Sequence, residues 1–246
     1  MANAVGAGAS DVILEIGPGR GAITYLLAAA RVIAFEIDRD LAAGLRETNA
    51  PNLTVVEGDF LQVDAGMIRE ELRRAGISPE APLRVAGNLP YNVASPILFK
   101  LLELIDAGLR ISDAVVMVQR EVADRLTAAP GTKAYGVLSV LIRHRADVER
   151  LLALPPGAFR PSPKVQSAVV RLRFHPASPA PKRPDLFEAL TKAVFTRRRK
   201  TLANALRAFR TAGIFEALDH AGLDGRRRPE TLDISELVAL ADSFDA

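Results

Sequence analysis

The sequence contains no cysteine among its 246 residues. This absence excludes a disulfide framework and every thiolate metal site, and it suits a reducing compartment. Its three histidines, His144, His175 and His220, are scattered and do not have the spacing of zinc ligands. No metal site is therefore predicted.

Long apolar runs are also missing. The longest candidate, Ile23 to Phe35, is interrupted by Arg31 and is shorter than the ~20 residues that span a bilayer. The N-terminus lacks a basic stretch followed by an apolar one, so no signal peptide is predicted. We therefore expect a cytoplasmic protein without a membrane partner.

A strong excess of charge of one sign is absent as well. The formal net charge is only +3, so an argument for a polyanionic partner depends on local clusters of basic residues. Hydrophobic residues make up 49% of the chain, which is enough for a sizeable core. The length fits one large domain, alone or with a small appendage.

Apolar and amphipathic segments alternate over the first two-thirds of the chain, as in a parallel sheet with helices on both faces. The predicted strands are Val12–Ile16, Val32–Glu36, Leu53–Glu57, Leu83–Ala86 and Ala114–Val118. The predicted helices are Ala22–Ala30, Asp40–Asn49, a segment near Ala65–Ala75, and one capped by Ser95 with Pro96 in its first turn.

The pattern changes after residue 145. Two further strands, Val148–Leu154 and Val165–Phe174, flank a proline-rich loop, and we expect a hairpin that closes the far edge of the sheet. Residues 176–184 have linker composition, so domains 1–178 and 179–246 are predicted. Only helical patterns follow: Leu186–Phe195, Thr201–Thr211, Phe215–Ala221 and Ser235–Ser243.

A glycine-rich turn, Glu15-Ile-Gly-Pro-Gly19, follows the first predicted strand. Glycines there let the backbone turn sharply and approach a ligand, and Glu36 at the end of the second strand is placed to accept hydrogen bonds from ribose hydroxyls. Gly17, Gly19 and Ala22 also satisfy the relaxed dinucleotide fingerprint. The turn alone therefore leaves a nicotinamide cofactor and S-adenosylmethionine both open.

Asp59 follows the third predicted strand, where a carboxylate would accept the amino hydrogens of a cofactor adenine. The proline in the turn, together with Glu15, suits a compact amino-acid moiety better than a pyrophosphate. Both features favour S-adenosylmethionine. The structural alternative for Asp59 is a helix N-cap.

The tetrapeptide Asn88-Leu-Pro-Tyr91 follows the fourth predicted strand, in the expected ligand crevice. The lone pair of an adenine N6 amine is delocalised into the ring, and two acceptors aimed at its hydrogens would free that pair. The Asn88 side-chain oxygen and the Pro90 carbonyl are the predicted acceptors. Tyr91 is predicted to stack on the base. The alternative is a simple β-turn.

Phe159 lies in the proline-rich loop and is predicted to sandwich the base against Tyr91. A core anchor is the alternative. A base held in this way must be unpaired or flipped out.

Basic residues cluster between residues 192 and 210 with no acid among them. Such a stripe would neutralise phosphates without reading sequence, and a solvated charged face is the alternative. The cluster comprises Lys192, Arg197, Arg198, Arg199, Lys200, Arg207 and Arg210, and Arg226 to Arg228 form a second one.

These motifs together resemble the bacterial small-subunit ribosomal RNA adenine N6,N6-dimethyltransferases, from about Val12 to Leu240. The matching segments are Glu15–Gly19, Glu36–Asp38, Gly87–Tyr91, Gln119–Val122, Lys133–Gly136, Phe159–Val165 and Arg198–Leu202. The resemblance implies a Rossmann-like class I methyltransferase sheet, mostly parallel with an antiparallel last strand, and a small all-α C-terminal RNA-binding domain.

By the same resemblance, Gly17, Glu36, Asp59 and Asn88 would contact S-adenosylmethionine, and Asn88, Pro90, Tyr91 and Phe159 would hold the adenine. The substrate would be two adjacent adenosines near the 3′ end of small-subunit RNA in immature subunits, modified by a monomer. Alternatives are a large-subunit RNA methyltransferase conferring antibiotic resistance, a DNA adenine methyltransferase, a non-catalytic ribosome-assembly factor, and a nicotinamide-dependent dehydrogenase.

One departure concerns the N-terminus. Members of this family usually begin with a basic stretch and a Gly-Gln-(His/Asn)-Phe-Leu segment, whereas here Met1 to Ser10 directly precede the first strand. Because that segment would cover the cofactor, weak cofactor binding and reduced activity are expected of this chain.

Overall fold

The structure, a computed structural model, describes residues 1–27, 31–155, 157 and 165–244. Its largest feature is a seven-stranded sheet in the order β3-β2-β1-β4-β5-β7-β6. The strands are β1 Val12–Ile16, β2 Arg31–Glu36, β3 Leu53–Glu57, β4 Leu83–Asn88, β5 Ile111–Gln119, β6 Ala146–Leu154 and β7 Ser167–Phe174. β1 to β5 pair in parallel, and β7 pairs antiparallel to β5. The predicted fold class is confirmed.

The central strands are apolar because both of their faces are covered. All five residues of β1 are buried, as are residues 32–36 of β2 and 114–118 of β5. A strand buried on both faces requires a continuous apolar run, not an alternating one, and this explains why these strands are visible in the sequence.

The described helices follow the alternating pattern and then dominate the C-terminal part. They are α1 Ala2–Val5, α2 Arg39–Glu47, α3 Ala65–Arg74, α4 Ala94–Asp106, α5 Arg120–Leu126, α6 Val137–Arg143, α7 Pro184–Thr196, α8 Leu202–Leu206, α9 Ile214–His220 and α10 Ile234–Ser243. Short 3₁₀ helices span Thr24–Leu27, Phe60–Gln62 and Pro229–Thr231.

Three local predictions were wrong. The helix expected over residues 22–30 is only a 3₁₀ helix at Thr24–Leu27 within the described residues, since Gly21 has a left-handed φ of +80° and β2 begins at Arg31. Ser95 does not cap α4, which begins one residue earlier at Ala94. The helix predicted over residues 201–211 is the five-residue α8.

The chain separates into two compact units. The first comprises Met1–Ala123 and Asp147–Phe174, and the second comprises Asp124–Ala146 and His175–Ala246. The junction at residue 175 lies near the predicted boundary at residue 178. The second unit also takes in residues 124–146, whose helix α6 packs on α7. The assignment of a methyltransferase domain and an RNA-binding domain stays a prediction.

Among the described residues, no helix combines the length and the apolar character that crossing a membrane requires.

Candidate active site

The candidate site lies at the carboxyl ends of β1 and β4, which are neighbours in the sheet although they are far apart in sequence. Ile16 at the end of β1 pairs with Gly87 in β4. A β-carbon built on Gly87 would lie 2.6 Å from the Ile16 carbonyl oxygen, so only glycine permits this close pairing. The two predicted motifs therefore leave the sheet side by side, at a topological switch point.

The glycine-rich turn adopts backbone conformations that favour glycine. Gly17, Gly19 and Gly21 have φ values of +65°, +59° and +80°. The Gly17 N–H donates to the Phe35 carbonyl at 3.0 Å, which ties the turn to β2. A β-carbon built on Gly19 would meet nothing within 4 Å, so the turn borders open space. The predicted sharp turn is present and leaves room for a ligand.

Glu36, the predicted ribose ligand, ends β2 and is only 5% exposed. One carboxylate oxygen accepts the Gly19 N–H at 2.9 Å, and the other accepts the Asp38 N–H at 3.0 Å. The carboxylate therefore holds the glycine-rich turn against the end of β2. A ribose would have to share these oxygens or replace the backbone donors.

Asp59 is the N-cap of the 3₁₀ helix Phe60–Gln62, and its Oδ1 accepts the Leu61 N–H at 2.9 Å. The capping role, the alternative raised by the sequence, is therefore present. Its Oδ2 has no hydrogen bond to the part of the chain that the structure describes. One carboxylate oxygen remains for the predicted contact with a cofactor adenine.

Asn88 is the last residue of β4 and is exposed to solvent. Its main chain lies beside the glycine-rich turn. A β-carbon built on Gly17 would lie 3.8 Å from the Asn88 carbonyl oxygen and 4.0 Å from Pro90 Cδ. The structure thus brings Gly17, Asn88 and Pro90 together, as a shared site for a cofactor and an adenine requires.

The turn after Asn88 is tight. The Pro90 carbonyl accepts the Val93 N–H at 3.1 Å, which occupies one of its two lone pairs and leaves the other for a ligand. Tyr91 is partly exposed, and its hydroxyl hydrogen-bonds to Ser167 Oγ at 2.8 Å. This bond anchors the ring by its polar tip while part of the side chain stays accessible.

Phe159, the second predicted aromatic residue, lies outside the described residues. Its pairing with Tyr91 stays a prediction.

Glu15 is an ionisable group buried behind the turn. It is 1% exposed, and both carboxyl oxygens and the Thr24 hydroxyl lack a hydrogen bond of good geometry. The pKa of Glu15 is raised to about 7, chiefly because the carboxyl is buried; Thr24 lowers the pKa, and the nearby charge of Glu36 adds to the rise. Near neutral pH, both the protonated and the ionised form of this carboxyl are therefore populated.

The sequence did not single out Ser167 as a partner of Tyr91, because a contact across 76 positions leaves no local pattern. Glu15 did carry a signal: it is the one charged residue in an otherwise apolar strand. A carboxylate among buried aliphatic residues is costly, so its presence points to a special environment.

The predicted RNA-binding residues belong to the second unit and divide into two groups. Lys192 pairs with Glu188, and Arg198 donates to Glu230 at 2.9 Å and to the Lys133 carbonyl at 3.0 Å. The other four are exposed, and their side chains have no partner among the described residues: Arg197, Arg199, Lys200 and Arg207. The structure therefore leaves these four cations available to a polyanion.

The comparisons with known proteins agree over nearly the whole chain. A family model described as ribosomal RNA adenine dimethylase matches residues 3–245. A protein of Alcanivorax borkumensis named ribosomal RNA small subunit methyltransferase A is 41% identical over 98% of this chain and 83% of its own length. A protein of the same name from Geobacter sulfurreducens is 45% identical, over 98% and 87%.

Solved structures show the same fold. A dimethyladenosine transferase from Plasmodium falciparum aligns with a TM-score of 0.77 at 25% identity, over 97% of this chain and 91% of that one. The 23S rRNA methyltransferase ErmE aligns with a TM-score of 0.67 at 28% identity, over 100% and 95%.

Proposed function

Because the chain belongs to the ribosomal RNA adenine dimethylase family, we propose that it methylates N6 of two adjacent adenosines near the 3′ end of small-subunit ribosomal RNA. The products are N6,N6-dimethyladenosines, and S-adenosylmethionine is the methyl donor. Relatives at 41–45% identity that are named small subunit methyltransferase A support this substrate. On the same grounds we propose that the protein is a cytoplasmic monomer that acts on immature small subunits.

The residues at the carboxyl ends of β1, β2 and β3 fit S-adenosylmethionine. The glycine-rich turn borders open space at Gly19, and buried Glu36 and the free Oδ2 of Asp59 supply acceptors for ribose hydroxyls and an adenine amine. When bound, the cofactor supplies an electrophilic methyl group on a sulfonium. Gly17 and Asn88 would flank it.

The residues after β4 fit the acceptor base. The Asn88 side-chain oxygen and the second lone pair of the Pro90 carbonyl would accept the two N6 hydrogens. This would localise the lone pair on the nitrogen and direct it towards the methyl group of the donor. Bound S-adenosylmethionine would supply the methyl group to this nitrogen, and the N6 proton would then leave to water. Alignment of the two reactants would contribute much of the rate. Because the methylated nitrogen would be an acidic ammonium, no strong general base would be required.

Aromatic stacking would hold the extruded base. Tyr91, anchored through Ser167, offers a ring at the edge of the turn. Stacking on one aromatic side chain is worth about 1–3 kcal/mol per base. Phe159 is proposed as the opposite face of the sandwich.

The observation that carries the proposal is the closeness of two motifs. A β-carbon built on Gly17 of the cofactor turn would lie 3.8 Å from the Asn88 carbonyl oxygen and 4.0 Å from Pro90 Cδ, so the two segments are neighbours. A methyl donor on one and an adenine amine on the other would therefore be adjacent.

The second unit is proposed to dock the RNA. Arg197, Arg199, Lys200 and Arg207 present exposed cations, and Lys192 and Arg198 would contribute although each is paired with a carboxylate. These residues would contact phosphates without reading sequence.

The proposed function is tested by incubating the full chain with radiolabelled S-adenosylmethionine and undermethylated small ribosomal subunits. We expect about four methyl groups per subunit, two on each adenosine. Large subunits are the control, because the 28% identity to ErmE makes large-subunit RNA the second candidate substrate. Incorporation into large subunits instead of small ones would contradict the proposal.

A further inference from the structure

A cavity of about 330 Å³ lies beside the candidate site, at the same edge of the sheet. The end of β6, the start of β7 and the residue after β5 line it. Its principal lining residues are Arg120, Arg150, Leu154, Pro155, Gln166 and Ser167. The volume is within the range of small-ligand sites, roughly 300–1,000 Å³.

The cavity is joined to the adenine site through one side chain. Ser167 lines the cavity and also hydrogen-bonds to the Tyr91 hydroxyl at 2.8 Å. Ser167 pairs with Gln119 at the carboxyl end of β5. In the sheet, β5 is separated from β1 by β4 alone. A ligand in the cavity would therefore be the immediate neighbour of a base stacked on Tyr91.

The chemistry of the lining suits a nucleotide. Two arginines, Arg120 and Arg150, line the cavity, and the described lining residues include no acid. Arg120 Nη1 donates to Gln166 Oε1 at 2.8 Å, and the Arg120 N–H donates to the Gln166 carbonyl at 2.9 Å, so this arginine is oriented. Guanidinium forks match phosphate oxygens, whereas Leu154 and Pro155 offer apolar contact.

We propose that this cavity binds the nucleotide adjoining the target adenosine, with the connecting phosphodiester held by Arg120 and Arg150. The inference rests on the proposed function, since it takes the base on Tyr91 to be adenine. Two adjacent nucleotides share one phosphate, so a cationic cavity next to the base site is placed to receive it. When one adenosine of the pair is in the site, the cavity holds its neighbour.

The test compares the binding of two probes, adenosine and the dinucleotide adenylyl-adenosine, to the full chain by calorimetry. The wild type is expected to bind the dinucleotide at least about tenfold more tightly than adenosine, because charge-assisted contacts to phosphate are strong. Arg150→Ala should remove most of this preference while leaving adenosine binding unchanged. Arg150→Lys, which keeps the charge but loses the fork, should retain part of it.

Arg110→Ala is the matched control, since Arg110 is an exposed arginine near the amino end of β5, where its guanidinium contacts the Glu80 carbonyl. It should keep the full preference for the dinucleotide. Equal binding of the two probes by the wild type, or the same preference in Arg150→Ala, would overturn the inference. If the wild-type protein used for calorimetry still methylated small subunits, the proposed function would stand although the inference about the cavity had failed.

Discussion

At the scale of single residues, Asn88 bears most of the proposed chemistry. It is exposed at the end of β4, and its backbone lies beside Gly17. We expect Asn88→Ala to lower kcat by about a hundredfold or more, as removal of one preorganised hydrogen-bonding group does in other active sites. The measurement is steady-state methyl transfer, with exposed Asn3→Ala in α1 as the control.

Unchanged kcat in Asn88→Ala, with normal folding, would remove the amide from the mechanism. A rise in the KM for RNA without a fall in kcat would assign it to binding alone.

Glu15 gives a second prediction, about pH. Its pKa of about 7 in the folded chain lies above the ordinary 4.5, so between these values the folded chain binds more protons than the unfolded one. The stability that Glu15 contributes is complete below pH 4.5 and is lost as pH rises through 7. Glu15→Gln removes this titration. When the pH is raised from 4 to 8, the unfolding free energy of Glu15→Gln should therefore increase by up to about 3 kcal/mol relative to that of the wild type.

Urea denaturation of both proteins at the two pH values measures this difference. Exposed Glu47→Gln in α2 serves as the control and should follow the wild type. Parallel stability profiles for wild type and Glu15→Gln would show that the carboxyl ionises normally.

The sequence was sufficient to propose most residues of the site, because Gly17, Glu36, Asp59 and Asn88 each follow or end a strand. Other facts depend on tertiary structure. The Tyr91 hydroxyl finds its partner 76 positions away, and no local pattern encodes that contact. An aspartate just after a strand is compatible with both a ligand role and a helix-capping role, so the sequence does not distinguish the two for Asp59. In the structure, Asp59 is an N-cap.

At the scale of elements, the pairing of β1 with β4 positions the site. Gly87→Ala would put a β-carbon 2.6 Å from the Ile16 carbonyl and force the strands apart. We expect a loss of roughly 1–3 kcal/mol in unfolding free energy, together with weaker cofactor binding. Chemical denaturation and calorimetric titration measure the two effects.

Gly44→Ala in α2 is the matched control, since a β-carbon there meets nothing within 4 Å. Alanine in a helix interior should stabilise the chain by about 0.5–1 kcal/mol. If Gly87→Ala were as stable as this control, the close approach of β1 and β4 would not depend on glycine.

The strands were predictable because buried parallel strands are apolar throughout, whereas several helices were not. α5 and α6 were not predicted: they are seven residues each, and five of the seven residues of α6 are buried. A short buried apolar run does not distinguish a helix from a strand. For the segment after Gly21 the error was of the other kind, because an α-helix was predicted that the structure does not have. The apolar run predicted that helix, but the described residues form a 3₁₀ helix at Thr24–Leu27.

At the scale of the whole molecule, the exposed cations predict salt-dependent RNA binding. The triple variant Arg199→Ala, Lys200→Ala, Arg207→Ala should reduce the slope of log affinity against log salt by about 2 for single-stranded RNA. A control that removes three exposed arginines of the first unit, Arg31, Arg73 and Arg74, should leave the slope unchanged. Equal slopes for wild type and the first variant would exclude this cluster from the RNA interface.

The most direct measurement is mass spectrometry of the RNA product after reaction with a donor carrying a trideuterated methyl group. We predict two neighbouring adenosines near the 3′ end of small-subunit RNA, each carrying two labelled methyl groups on N6. Label on another atom, on another base, or on no nucleoside at all would contradict an adenine amine held beside the methyl donor at the ends of β1 and β4.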